Sequence, residues 1–149
     1  MKTIKKEKKN TLKKKEKTYK YEDVLSASIK YFNGDELAAT TWMNKYAMQD
    51  HNHDFVEISP DDMHKRMAKE FGRIEADYKL KYNLNGSAKF LSKYGQERKD
   101  LTEEKIYTLF KDFGYIIPQG SVMSSLGNNY KLASLSNCIV VPEMHDSYG

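Results

Sequence analysis

Ser134-Leu135-Ser136-Asn137-Cys138-Ile139-Val140-Val141-Pro142 is the stretch on which the reading of this chain turns. Small polar residues run into a β-branched apolar run, the pattern of a turn feeding a strand. The predicted strand covers Leu132 to Val141, and no other segment gives a convincing one. It carries the chain's only cysteine. On composition alone, a lone thiol at such a place reads as a buried small hydrophobe. A single strand cannot make a sheet, so the strand's partners are expected outside these 149 residues.

Working outward from that strand, the texture beyond Pro118 turns to Gly, Ser and Asn without charge, and reads as a loop holding Gly120, Ser121, Ser124, Ser125 and Gly127. Before it, Thr102-Glu103-Glu104 starts a helix with Ile106, Leu109, Phe110 and Phe113 on one face, closed by Gly114. A short helix is predicted over Ala88 to Tyr94, after a loop from Asn83 to Ser87. Ser59-Pro60-Asp61-Asp62 combines a hydroxyl cap, a proline at the first helical position and acids facing the positive dipole end. Met63, Met67, Phe71 and Ile74 then follow at helical spacing as core positions. The segment Asp50 to Ile58 is polar and irregular. Asp35 caps a helix from Glu36 to about Met48, with Leu37, Trp42 and Tyr46 as its larger buried candidates. The first helix spans Tyr21 to Phe32, with Val24, Leu25, Ile29 and Phe32 at helical spacing, and Asn33-Gly34 breaks it.

The net charge of +4 belongs to one end. Of 25 basic and 21 acidic side chains, ten lysines and two glutamates lie in residues 1–20, leaving 15 against 19 in the rest. A run such as Lys5-Lys6-Glu7-Lys8-Lys9 buries too little apolar surface to offset the entropy of ordering, so residues 1–20 read as a disordered, solubilising tail. One cysteine excludes an internal disulfide framework and suits a reducing compartment. No apolar run approaches the roughly 20 residues of a membrane span, and the basic start has no hydrophobic stretch of a secretory signal. A cytoplasmic location is expected. His51 and His53, beside Asp54, fall in the polar loop, and nothing else in the sequence completes a zinc shell around them.

Three segments, taken together, resemble the adenosylcobalamin-dependent (class II) ribonucleotide reductases. The first is Tyr31-Phe32-Asn33-Gly34-Asp35-Glu36-Leu37-Ala38-Ala39 with Trp42, Lys45-Tyr46-Ala47 and Asp50. The second is Pro60-Asp61-Asp62-Met63-His64-Lys65-Arg66 with Glu70-Phe71 and Arg73-Ile74-Glu75. The third runs from Pro118-Gln119-Gly120-Ser121 through Gly127-Asn128 and Ser134 to Cys138, then to Asp146-Ser147-Tyr148-Gly149. They span residues 21–149 in the family's order. The resemblance implies a mainly α chain: a helical N-terminal region over 21–115, running into the first strand of a truncated ten-stranded α/β barrel over 116–149. It leaves no room before the first helix for the ATP-binding cone that many reductases carry.

What the resemblance implies chemically is the conversion of ribonucleotides, as diphosphates, to deoxyribonucleotides for DNA synthesis by thiyl-radical chemistry. Two thiols supply two electrons as they close to a disulfide. Cys138 matches one of that redox pair; the second thiol and the radical cysteine would lie beyond Gly149, so the chain alone is expected to be inactive. Ser121 and Asn137 match residues that hold the substrate, although Val122 stands where the family often has proline. Read without the family, both are turn formers. Asp146 and Ser147 match the start of the effector site for a deoxynucleoside triphosphate, and read equally as a helix cap. The implied cofactor is adenosylcobalamin, with contacts mostly outside this chain and no metal site within it. The implied partners are a thioredoxin-type reductant and, at full length, a second copy in a homodimer.

Two other readings stay open. A class I reductase large subunit shares the Gly-Asp and Lys-Tyr-Ala elements and would need a separate radical-generating subunit. A small helical nucleic-acid-binding module could use the lysine tail, but the acidic body and the absence of aromatic interleaving argue against it.

Overall fold

Asp35 starts a helix as its position predicts: its Oδ1 accepts the Ala38 N–H at 2.9 Å. The computed structural model of the protein describes residues 17–84, 92–97, 99 and 101–138. In order these form α1 (Tyr21–Tyr31), α2 (Glu36–Lys45), α3 (Pro60–Leu84), α4 (Lys93–Glu97), α5 (Glu103–Phe110), a 3-10 turn (Lys111–Phe113) and α6 (Gly120–Ser125). The chain is mainly helical. No helix among the described residues is long and apolar enough to cross a membrane.

The helix starts follow local chemistry. Thr102 caps α5 by accepting the Lys105 N–H. At α3, Pro60 supplies the first turn, and the Asp62 carboxylate reaches back to the Ile58 N–H at 3.1 Å. Between α1 and α2 the reversal uses two consecutive left-handed residues, Asn33 and Gly34 (φ 55° and 96°). Glycine suits that geometry because it has no Cβ.

Helix α1 packs on α2 and α3 packs on α5. Between the pairs lies a core of Val24, Trp42, Met43, Phe55, Met63, Met67, Ile106 and Phe110, joined by Met123 and Leu126 from α6 and its exit. Methionine's flexible side chain fills the gaps around the indole, whose Nε1–H donates to the Met63 sulfur at 3.3 Å. The 3-10 turn carries two adjacent left-handed residues, Asp112 and Phe113, both at φ 54°. That conformation is costly for a phenylalanine. Packing holds it: the Phe113 ring stacks on Phe32 at 6.2 Å and meets the His64 ring edge-on at 4.6 Å.

Five sequence expectations need correction. Phe71, expected in the core, is 36% exposed and stacks against the Phe110 ring at 5.8 Å. Leu37 is 78% exposed, because α2 turns Ala39, Trp42 and Met43 inward, and Leu37 lies off that face. The stretch expected as a loop before Gly127 contains α6, where Met123 is buried. The expected strand from Leu132 to Val141 is absent from its described part, 132–138, which is irregular and exposed. With no neighbouring strand to pair, the backbone there is bonded by side chains: Ser134 Oγ accepts the Ser136 N–H (3.1 Å), and the Ser136 hydroxyl donates to the Cys138 carbonyl (2.9 Å). Among the described residues there is no barrel, and residues 139–149 lie outside them. Finally, the tail expectation over 1–20 reaches too far. The Tyr19 N–H donates to the Phe55 carbonyl at 2.8 Å, and the ring packs on the core. Residues 1–16 and most of the predicted helix over 88–94 lie outside the described residues; α4 runs from Lys93 to Glu97.

Candidate functional site

Ser121 sits in the first turn of α6, and its backbone N–H donates to Asn137 Oδ1 at 2.9 Å across sixteen positions of chain. Its hydroxyl donates to the Leu135 carbonyl at 2.8 Å. These two bonds fold residues 135–138 back onto α6. The Asn137 amide NH2 and the remaining lone pairs of the Ser121 hydroxyl keep hydrogen-bonding capacity. Cys138 follows directly as a free, exposed thiol. The compositional reading of that thiol as a buried hydrophobe is therefore corrected: residues 132–138 are irregular and exposed and form no strand that would draw it inward.

What positions α6 is a buried ion pair. The Arg66 guanidinium on α3 donates through Nε to Glu57 Oε1 at 2.7 Å, through one terminal nitrogen to the Leu126 carbonyl, and through the other to the Met123 carbonyl at 2.7 Å. The last carbonyls of a helix have no intrahelical partner, and here an arginine fork supplies it. Glu57 Oε2 in turn accepts the Met48 N–H at 2.8 Å, which fixes the loop after α2. Burial pushes the Glu57 carboxyl above its ordinary value, and the Arg66 charge and its hydrogen bond offset part of that rise. Gly127, at φ 74°, completes the turn after α6. A Cβ there would stand 3.1 Å from Arg66 Cγ and 3.2 Å from Glu70 Cβ.

A second polar cluster lies under α1. His64 has no exposed surface, and neither ring nitrogen has a hydrogen-bond partner; the buried Tyr31 hydroxyl and Ser28 hydroxyl share that condition. Burial holds the His64 imidazole below its ordinary value, against the pull of the Asp61 and Asp112 carboxylates. Burial raises the Tyr31 hydroxyl, and nearby Asp112 raises it further. Asp61 is itself held below the usual carboxylate range. Its partial burial works the other way, but Lys65 (2.6 Å) and the Tyr107 hydroxyl outweigh it.

Of the residues singled out in the sequence, the structure brings Ser121, Asn137 and Cys138 together, whereas Asp146 and Ser147 lie outside the described residues. His51 and His53 stand on the polar loop, and no group of three or more metal-ligating side chains occurs among the described residues. Glu57 was missed, since an isolated glutamate in a polar loop carries no sign of burial. Arg66 and His64 were visible only as members of a motif, without a role. Compared with family models, with curated proteins and with solved structures, the chain finds no match in any of the three.

Proposed function

We propose that this chain is the front part of a ribonucleotide reductase of the adenosylcobalamin-dependent class, contributing Cys138 as one of two reductant thiols. The observation that carries the reading is the contact between Ser121 and Asn137. Both residues match substrate positions of the family, they lie sixteen apart in sequence, and their groups meet at 2.9 Å beside the thiol. A chance motif match gives no reason for those residues to converge. In this role Ser121 and Asn137 would hydrogen-bond a nucleoside diphosphate, and Cys138 would give up its thiol hydrogen and close a disulfide with a second cysteine. The expected barrel, the effector contact at Asp146 and Ser147, the thioredoxin-type reductant, the homodimer and the cytoplasmic location belong to the same proposal.

Adenosylcobalamin would supply the radical that generates the thiyl. Its contacts are expected mostly outside this chain. The test is ribonucleoside diphosphate reduction by the chain extended through its own downstream coding sequence, with adenosylcobalamin and a dithiol. Deoxynucleotide that disappears in Cys138→Ser is the expected result. Activity that ignores cobalamin and needs a second protein would replace the class with class I. No deoxynucleotide under either condition would end the proposal.

A further inference from the structure

A cleft of about 470 Å³ opens between the end of α2 with its following loop and the end of α6 with residues 128–131. Lys45, His51 and His53 line one wall; Ser124, Tyr130 and Lys131 line the other. This volume falls within the roughly 300–1,000 Å³ of small-molecule sites. Its lining carries two lysines, Lys45 and Lys131, against one carboxylate. Asp50 is the one carboxylate on the lining, and its Oδ1 already accepts the N–H groups of Asn52 (2.8 Å) and Asp54 (3.0 Å). Neither the Lys45 nor the Lys131 ammonium meets a carboxylate among the described residues.

The walls are held in place. Asn128 Oδ1 accepts the N–H groups of Tyr130 (2.8 Å) and Lys131 (3.2 Å), setting the loop that presents the second lysine. The His51 ring meets the Tyr130 ring edge-on at 5.4 Å, bridging the two walls. Behind the cleft, Arg66 ties both sides together through Glu57 and the carbonyls of Met123 and Leu126. A lysine in the last turn of α2 could simply complement the helix dipole. That account does not extend to Lys131, which lies in irregular chain.

We propose that this cleft binds a phosphate-bearing small molecule, with Lys45 and Lys131 as its charge partners and the rings of His51 and His53 as donors. Two lysines against a single carboxylate leave the lining net positive, and a bound anion would offset that excess and add charge-assisted hydrogen bonds. None of Ser121, Asn137 and Cys138 lines the cleft, so the site stands independently of the reductase reading.

The test titrates inorganic pyrophosphate into the 149-residue chain, following heat and the ring-proton resonances of His51, His53 and Tyr130. Lys45→Gln with Lys131→Gln is compared with Lys13→Gln with Lys14→Gln, which removes the same charge from the N-terminal lysine run. The expected result is saturable binding, shifted ring resonances, and a loss of about tenfold or more in the cleft variant, against less than about twofold in the control. Lys45→Arg with Lys131→Arg should restore binding, which separates charge from folding. ADP in place of pyrophosphate identifies the source. Tighter ADP binding points to a nucleotide and equal binding to the diphosphate alone, each in keeping with the site. Absent or non-saturable binding, or an equal loss in both glutamine variants, would overturn the proposal.

Discussion

Arg66 and Glu57 meet at 2.7 Å with side chains 7% and 3% exposed, and each also satisfies backbone groups: Glu57 the Met48 N–H, Arg66 the Met123 and Leu126 carbonyls. The pair joins three separate stretches: α3, the loop after α2, and the end of α6. Taking two charges out of water is costly, and only a complete set of partners offsets the cost. Here the partners are backbone groups at a helix end and a loop, so the pair sets the path of the chain as well as its stability.

Removing one member should therefore be worse than removing both. Arg66→Ala strands a buried carboxylate and the carbonyls of Met123 and Leu126, and is expected to cost about 3–5 kcal/mol. Arg66→Lys should recover little, because an ammonium cannot span Glu57 and two carbonyls at once. The double variant Arg66→Met, Glu57→Leu should be less destabilised than Arg66→Ala. Chemical denaturation of the four proteins measures this, and a double variant no more stable than Arg66→Ala would show that the pair is not the brace described.

Folded and unfolded chains differ in proton binding at His64, which gives a pH prediction. Unfolded, the imidazole takes a proton near pH 6.5; folded, burial holds it lower. Below pH 6.5 the unfolded state binds a proton that the folded state refuses. Stability from this group is thus full above that pH and falls as the pH drops toward the folded value, by at most about 1.4 kcal/mol per pH unit. The groups facing it are Asp61 and Asp112, which moderate the loss, and neutral Tyr31. Glu57, with its raised carboxyl, contributes the opposite slope, so only the difference between proteins is diagnostic. His64→Phe should remove the loss below pH 6.5 and gain on the parent most at pH 5. Parallel stability curves for the two proteins from pH 7 to 5 would refute it.

Local signals were legible in the sequence, and convergent ones were not. Asp35, Pro60 and Thr102 act on the N–H groups or backbone angles of their own first turns, so their roles follow from position alone. Met63 and Met67 obey a helical period that places both on one face. Leu37 misled because a leucine five positions before Trp42 is on a different side of the helix. Helix α6 was invisible because Gly-Ser-Val-Met-Ser-Ser has little propensity of its own; Arg66 and the burial of Met123 hold it. The Ser121–Asn137 contact spans sixteen residues, a separation no periodicity reports, and both residues were marked only by family resemblance. The described part of the expected strand, 132–138, is irregular because no neighbouring strand among the described residues shares its hydrogen bonds.

The N-terminal boundary can be tested by two truncations. Deleting residues 1–16 removes most of the lysine run and should leave the unfolding midpoint unchanged. Deleting residues 1–20 also removes the Tyr19 N–H bond to Phe55 (2.8 Å), the Lys20 carbonyl that accepts from Val24 (3.2 Å), and a half-buried aromatic ring. That second deletion is expected to cost about 1–3 kcal/mol. Equal midpoints for both truncations would show that Tyr19 contributes nothing.

Cys138 separates the reductase reading from a structural one, because the thiol is exposed. Serine differs from cysteine by one atom, and an exposed side chain has little packing to lose, so Cys138→Ser should unfold at the parent's midpoint. The bond to the Cys138 carbonyl from the Ser136 hydroxyl involves only backbone at this position and survives the change. Serine cannot form a disulfide, however, so the two-electron step that needs a thiol pair must stop. On the proposed reductase reading, the variant of a longer chain carrying the remaining thiols should still bind a nucleoside diphosphate through Ser121 and Asn137 while losing turnover with thioredoxin or a dithiol. The complementary variant Asn137→Ala should weaken substrate binding while leaving the thiol free to be alkylated. Multiple turnovers near the parent rate in Cys138→Ser would remove the thiol from the chemistry, and the Ser121–Asn137 contact would then be a loop closure and nothing more.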